Sequence, residues 1–230
     1  MVLLDDIQNL LAIPRVLDIL RAVLSKDEVI NNTRYLFVLS STPEGWFAFI
    51  DKHDPIGRFF RKREPIANLT QDESIKLINE TLKGTGVSFD PRVKTDIYRF
   101  TQGHPYELQL LSSHLYEAQI GGKVTTGLWD GAFRNALREL GKDYFESLHR
   151  RASERERVIL EILADAKTAM NIADIRSIMI VKKRVRGFPI ANIKNFLYRL
   201  EAKGLIRRSE DGSFKILDPM FAEFITTFKL

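Results

Sequence analysis

The sequence predicts an α/β segment with parallel strands, then a bundle of helices, then a C-terminal winged helix-turn-helix. Three observations predict it. Two short apolar runs, residues 2–4 and 35–39, each end in polar residues and are separated by a helical stretch, the pattern of buried parallel strands joined through a helix. From Thr70 onward apolar residues recur at helical spacing between cap and stop signals. The last third reads as three helices, a hairpin and a final amphipathic helix. The expected boundaries are 1–69, 70–151 and 152–230.

The first apolar run is Val2-Leu3-Leu4, with Asp5 and Asp6 at its C-terminal end. Ligands of open α/β sheets collect at that end of the strands. Pro14 opens a helix whose apolar face is read as Val16, Leu20, Val23 and Leu24. Asn31 and Asn32 mark a loop, and the second run, residues 35–39, ends in Ser40-Ser41-Thr42. Residues 46–60 are rich in aromatics without a clear period, and Asp54-Pro55 predicts a helix break. Residues 66–69 read as a further short strand.

The helical part begins with Thr70-Gln71-Asp72-Glu73, a capping box followed by Ile75, Leu77, Ile78 and Leu82. Asp90-Pro91 reads as N-cap and first-turn residue of the next helix, carrying Val93, Ile97 and Phe100. Gly103 stops that helix and Pro105 starts another, with Leu108, Leu111, Leu115 and Tyr116 in register. After Gly121-Gly122 a helix over 128–148 shows Trp129, Phe133, Leu137, Leu140 and Tyr144 on one stripe. Ser153-Glu154-Arg155-Glu156 is a second capping box. A short helix over 172–179, a basic loop, and a helix from Pro189 to Lys203 follow. Residues 205–208 and 214–217 flank Asp211-Gly212 as a β-hairpin, and 219–228 form the closing helix. Three helices closed by a hairpin make a winged helix-turn-helix.

Composition narrows the function classes. With 44% apolar residues over 230, the chain can build real cores. No apolar run reaches the roughly 18 residues that span a bilayer, so no membrane association is expected. Asp5 comes too early for a signal-peptide core, which places the protein in the cytoplasm by expectation. Zero cysteines exclude disulfides, thiol catalysis and cysteine zinc sites. The net charge of +5 is carried entirely by residues 152–230, with 15 Lys+Arg against 10 Asp+Glu, so nucleic-acid contact is sought there first. His53, His114 and His149 lack metal-ligand spacing and are expected at the surface or an interface. No carboxylate pair is expected outside Asp5-Asp6, and neither Gly-x-Ser-x-Gly nor His-Glu-x-x-His occurs.

An apolar strand running into two aspartates has the form of a Walker B element, whose aspartate holds the magnesium of a bound nucleotide. The P-loop that cradles the phosphates in such sites has no counterpart among these residues. Gly122-Lys123 and Gly141-Lys142 come nearest, but Val124 and Asp143 stand where Ser or Thr should follow, and Glu117 and Ala136 stand at the first glycine.

Taken in order, the motifs resemble an archaeal-type AAA+/STAND P-loop ATPase from its Walker B strand to its C-terminal winged helix. The matching residues are Leu3-Leu4-Asp5-Asp6-Ile7-Gln8 as Walker B and Val38-Leu39-Ser40-Ser41-Thr42 as the sensor 1 strand. Pro55-Ile56-Gly57-Arg58 and Gly103-His104-Pro105-Tyr106 match the Gly-Arg segment and the lid turn. The α/β segment is then a partial P-loop ATPase core and the bundle is its lid. The resemblance implies ATP and Mg²⁺ as cofactors. It implies Asp5 as metal ligand, Asp6 as the group polarising the attacking water, and Arg58 as a stabiliser of transferring charge. It further implies Ser40, Ser41 and Thr42 at the γ-phosphate, with His104 and Pro105 packing on adenine.

Each pattern also has a plainer source. Aspartates suit a helix start, Ser-Ser-Thr suits a turn, and Arg58 shares a basic run with Arg61, Lys62 and Arg63. Gly103 and Pro105 are ordinary stop and start residues. In the C-terminal region, Lys182, Lys183, Arg184 and Arg186 precede the expected recognition helix, and Arg207 and Arg208 flank the wing. These are positions for phosphate contact. Ile190, Ile193, Phe196, Leu197 and Leu200 are read as core-facing, leaving Ala191, Asn195, Tyr198 and Ala202 outward, flanked by Asn192 and Arg199. That face is poor in base-reading groups, so DNA and a protein partner both remain as ligands. The expected function is an ATP-binding ATPase of this kind, lacking Walker A, whose winged helix binds DNA or a partner. This chain alone is expected to be inactive, its missing half coming from a P-loop-bearing chain. A homo-oligomer is also in keeping with the family's habit of completing sites between subunits. The alternative is a non-enzymatic DNA-binding or adaptor protein derived from such an ATPase.

Overall fold

Val2–Leu4 (β1) pairs in parallel with Phe37–Leu39 (β2), with Leu3 opposite Val38. The computed structural model describes residues 1–31, 35–57, 59–60, 64, 66–182 and 190–228. It divides into two compact units, Met1–Ile66 and Ala67–Leu230. Among the described residues no helix is long and apolar enough to cross a membrane.

In the first unit a 3-10 turn, Ile7–Ala12, follows β1, and helices Pro14–Leu24 (α1), Asp27–Ile30 (α2) and Pro43–Gly57 (α3) complete it. Ile7, Leu17, Leu24, Phe49 and Ile56 form its buried centre. The parallel pairing is as the sequence predicts, but the expected burial of the strands is not observed: Val2, Leu3, Tyr35, Leu36 and Val38 are all exposed. Two strands have too few neighbours to cover both faces of a pleat. The helix begun by Pro14 is also turned from its expected face. Leu17 and Leu24 are buried, while Val16 and Val23 are exposed, because the i, i+3, i+7 set through Leu20 is the one that meets the core.

The expected break at Asp54-Pro55 does not occur, since α3 runs on to Gly57. A proline removes one backbone donor and crowds the turn before it; in the last turn it ends a helix without splitting it. Thr42-Pro43 starts α3, a signal that sequence reasoning passed over. Thr42 Oγ1 accepts from the Gly45 amide at 3.0 Å and the Thr42 carbonyl from the Trp46 amide at 2.8 Å, and proline suits the first helical position.

The second unit opens with Gln71–Leu82 (α4), whose capping box forms as predicted: the Glu73 amide donates to Thr70 Oγ1 and the Thr70 amide to Glu73 Oε2. Ser88–Phe89 (β3) pairs in parallel with Lys123–Val124 (β4), a small sheet without a periodic signal. Pro91–Thr101 (α5) and Pro105–Glu117 (α6) flank Gly103. Asp90 precedes α5 but makes no side-chain cap bond. The strand expected over residues 66–69 is irregular backbone. Its course is fixed by Gly103, where the Leu69 amide donates to the Gly103 carbonyl at 3.0 Å. At Gly103 φ is +73°, and a Cβ would stand 1.9 Å from the Leu69 carbonyl oxygen, so only glycine fits.

The predicted long helix over 128–148 is three pieces: Trp129–Leu140 (α7), a π-helical turn Gly141–Phe145, and Glu146–Arg151 (α8). The wider turn shifts the register of the apolar stripe. Phe145 is fully buried and Tyr144 is 48% exposed, the reverse of the expected placement. Phe145 packs on Phe221 and Phe224, each at 5.4 Å between ring centroids.

Glu154–Ala166 (α9) begins with the second predicted capping box. Ile172–Lys182 (α10), Ile190–Ala202 (α11), the antiparallel hairpin Ile206–Arg208 (β5) with Phe214–Ile216 (β6), and Pro219–Phe228 (α12) follow. Met170 bridges to Phe214, adding a third segment to the hairpin. Glu156 is 1% exposed and meets Lys203 Nζ at 2.7 Å, tying the start of α9 to the residue after α11. Burial works against its charge, but the hydrogen bonds from Lys203 and Ser153 prevail and hold its pKa below the ordinary value. One hydrophobic core runs from Ile78 in α4 to Ile225 in α12.

Candidate functional site

The C-terminal ends of β1 and β2 bring the two predicted polar clusters together. The Ser40 hydroxyl donates to Asp5 Oδ1, and the Asp6 amide lies 3.1 Å from both Asp5 Oδ1 and Ser40 Oγ. Backbone bonds hold the strand ends in place, with the Ser40 amide donating to the Leu4 carbonyl and the Ile7 amide to the Ser40 carbonyl, both at 3.0 Å. Asp6 has φ 49° and ψ 49°, a left-handed geometry that aspartate tolerates better than most residues. It turns the chain from strand to 3-10 helix directly after the candidate metal ligand.

Gln8 links the pieces: its Nε2 donates to Asp6 Oδ1 at 3.1 Å, and its Oε1 accepts from Ser41 Oγ at 2.6 Å. Gly45 keeps α3 close, since a Cβ there would stand 2.8 Å from Gln8 Cβ and from Thr42 Oγ1. The roles of Ser40, Ser41 and Thr42 are therefore distinct. Ser40 meets Asp5, Ser41 meets Gln8, and Thr42 caps α3.

Asp5, Asp6 and Ser40 are exposed. Among the described residues no group of three or more His, Cys, Asp or Glu is placed to hold a metal alone. One carboxylate with water and phosphate oxygens is the usual setting of Mg²⁺, and Asp5 suits that arrangement. Arg58 lies outside the described residues.

His104 and Pro105 belong to the second unit, where His104 precedes Pro105 at the start of α6. Both are exposed, and His104 makes no side-chain cap bond. His104 lines a cavity of about 660 Å³ together with Glu107 and Asp218. These two carboxyls correct the expectation that Asp5-Asp6 is the chain's only acidic pair. Glu107, in the first turn of α6, is 3% exposed. Its pKa is pushed up to about 10 by burial and by the charge and hydrogen bond of Asp218. Burial also raises the pKa of Asp218, against the hydrogen bonds it receives. Asp218-Pro219 repeats the Asp90-Pro91 helix-start pattern, a signal present in the sequence, and here the side chain does cap. Asp218 Oδ1 accepts from the Met220 amide at 2.8 Å and the Phe221 amide at 3.2 Å.

His149, expected at the surface or an interface, is buried at 6% exposure. Burial and the nearby Arg157 charge lower its pKa and favour the neutral ring. His114 Nε2 lies 3.0 Å from Glu139.

On α11, Ile193, Leu197 and Leu200 are buried and Phe196 is half-buried, as the pattern predicts. Asn192, Asn195, Tyr198 and Arg199 are exposed, and so is Lys194, which sequence reasoning passed over. The Lys194 ammonium sits 5.6 Å from the Tyr198 ring centroid and the Arg199 guanidinium 5.7 Å from that of Phe196. Arg207 and Arg208 are exposed on β5, with Arg208 5.9 Å from the Phe214 ring. Lys182 ends α10, but its side chain, like Lys183, Arg184, Arg186 and Ile190, lies outside what is described.

No protein-family model matches the sequence, and comparison with curated proteins gives no match. Among solved structures, the Walker-type ATPase paby2304 of Pyrococcus abyssi aligns over 97% of this chain with TM-score 0.62 and 16% identity. The alignment spans 62% of that protein. The Aeropyrum pernix ORC2 protein, solved as ADPNP-ADP complexes, aligns over 98% of this chain and 64% of its own, with 16% identity and TM-score 0.43, too low to define a shared fold. At 16% identity the first likeness is one of architecture: the chain resembles in fold the matched part of that Walker-type ATPase.

Proposed function

We propose that the chain supplies the magnesium-binding and γ-phosphate-sensing part of an archaeal-type AAA+/STAND ATPase site, joined to a helical lid and a winged helix that binds DNA. The observation that carries this reading is the meeting of Asp5 with Ser40 at the C-terminal ends of two parallel strands. Bound there, MgATP would bring the phosphoryl group and the metal that neutralises its charge. Asp5 would hold the metal through one carboxylate. Asp6, aimed by the Gln8 amide, would orient the attacking water, and Ser40 and Ser41 would offer hydroxyls near the γ-phosphate. Thr42 is the least suited of the three, because its hydroxyl caps α3.

The cradle for the phosphates must come from a P-loop outside these 230 residues. The exposed apolar side chains of β1, β2 and α1, among them Leu3, Val38, Val16 and Ile19, provide a surface on which a P-loop-bearing segment or chain would pack. His104 and Pro105 take the adenine role in this reading, Arg58 the charge-stabilising role, and the site is cytoplasmic. Titration with labelled ATP tests it. The 230-residue chain alone should show no magnesium-dependent binding, and a supplied P-loop-bearing partner should restore it in the native protein but not in Asp5→Asn. Tight magnesium-dependent binding by the chain alone would overturn the requirement for an external cradle.

The exposed basic groups of α11 and β5 support phosphate contact in preference to base reading. Duplex affinity should fall steeply with salt, and Lys182→Ala, Lys183→Ala and Arg184→Ala together should flatten the slope by roughly three charges. A second reading rests on the few base-reading side chains on α11: the region then docks a protein, and the chain serves as an adaptor. Duplex affinity unchanged in the triple variant would favour it.

A further inference from the structure

We propose that Glu107 and Asp218 form a proton-dependent latch that fastens the C-terminal helix α12 to the start of α6. Glu107 projects from the first turn of α6 and is almost wholly buried. Asp218 precedes α12 and spends one oxygen on the Met220 and Phe221 amides. The two carboxyls line one cavity and lie close enough to share a hydrogen bond. Two facing carboxylates in a buried place cannot both be ionised, so the pair keeps one proton.

Which group keeps it follows from the surroundings. Asp218 receives two amide hydrogen bonds and the positive end of the α12 dipole, both of which favour its charge. Glu107 is left with the proton and donates it to Asp218. Several titratable groups line the same cavity: His104 from the cap of α6, Tyr144 from the π turn, Lys167 after α9, Arg207 from β5, Lys215 from β6 and Glu223 from α12. Lys167 is paired with Glu223 at 2.9 Å, and His104 lies near Asp218.

The latch joins parts that also meet through apolar packing and the Lys167–Glu223 ion pair. Phe221 and Phe224 lean on Phe145, and Phe224 covers Gly141, where a Cβ would stand 2.4 Å from its ring. The carboxyl pair is the polar key of that joint. Losing its proton leaves two facing charges that push α12 off the bundle.

The sign follows from a folded-state pKa raised from 4.5 to about 10. The stabilisation is complete below pH 4.5 and is lost as pH rises through about 10, so opening α12 releases one proton in between. Hydrogen exchange at the amides of residues 220–225, corrected for intrinsic rates, reads this directly. The opening constant should rise by up to about tenfold per pH unit between pH 6 and 9.

Glu107→Gln donates an amide hydrogen to Asp218 without needing a proton, and its opening constant should be flat over the same range. Asp218→Asn keeps a good N-cap and removes the second charge but not the burial of Glu107, so its opening constant should stop rising at a lower pH than in the native protein; it decides the matter if Glu107→Gln does not fold. Amides of α9 serve as the reference for global unfolding. A native opening constant that does not change with pH, a Glu107→Gln slope equal to the native one, or an Asp218→Asn profile identical to the native one would overturn the latch.

Discussion

The two units solve the problem of burial in opposite ways. In Met1–Ile66 the fully buried apolar centre is a handful of side chains around Leu17 and Phe49, and much of the apolar surface of β1, β2 and α1 faces out. In Ala67–Leu230 one core passes through nine helices and the hairpin among the described residues. The expected lid and winged-helix stretches share that core, so the large unit is held by its own packing. The small unit leaves much of its apolar surface uncovered, and it is also the unit that carries Asp5, Asp6 and Ser40. Its polar groups are satisfied by each other more than its apolar groups are by a core.

The largest expected effect tests the unity of the large core. Phe145→Ala should cost about 3–5 kcal/mol, and α5 and α11 should lose exchange protection together, because the core does not divide at residue 151. Tyr144→Ala, one residue away, should cost less than about 1 kcal/mol. Equal costs would mean the π turn does not set the register. Next, Leu17→Ala should destabilise the small unit by about 2–4 kcal/mol. It should lower the first of two thermal transitions and leave the second in place. A single transition that shifts as a whole would break the comparison. The smallest effect is that of Thr42→Ala, which should cost about 1 kcal/mol through the lost cap of α3, read as reduced helicity confined to the first transition.

How far the sequence could be read follows the same division. In the large unit, punctuation was local and therefore legible: both capping boxes, Gly103 and Pro105, and the hairpin turn at Asp211-Gly212 follow from short-range chemistry. What escaped there was set by distant contacts. The π turn answers to Phe224 pressing on Gly141, and Glu107 meets Asp218 across the fold; neither has a local pattern. In the small unit, the polar ends of β1 and β2 were found because side chains at strand ends sit where ligands bind whatever the core does. The burial of those strands and the face of α1 were misread, since a periodic stripe does not say which neighbours are present to cover it. The continuation of α3 past Asp54-Pro55 shows a tertiary setting overriding a breaker signal.

The contact between Leu69 and Gly103 has a practical side. Asn68 Nδ2 donates to the Gln102 carbonyl at 3.2 Å, and the Leu69 amide reaches Gly103 just beyond it. A fragment meant to isolate the large unit should therefore begin at Ala67, although the capping box at Thr70 invites a cut there. Three residues with no regular structure of their own act as a backstop for the turn between α5 and α6, and trimming them would leave the His104 turn without the wall that shapes it.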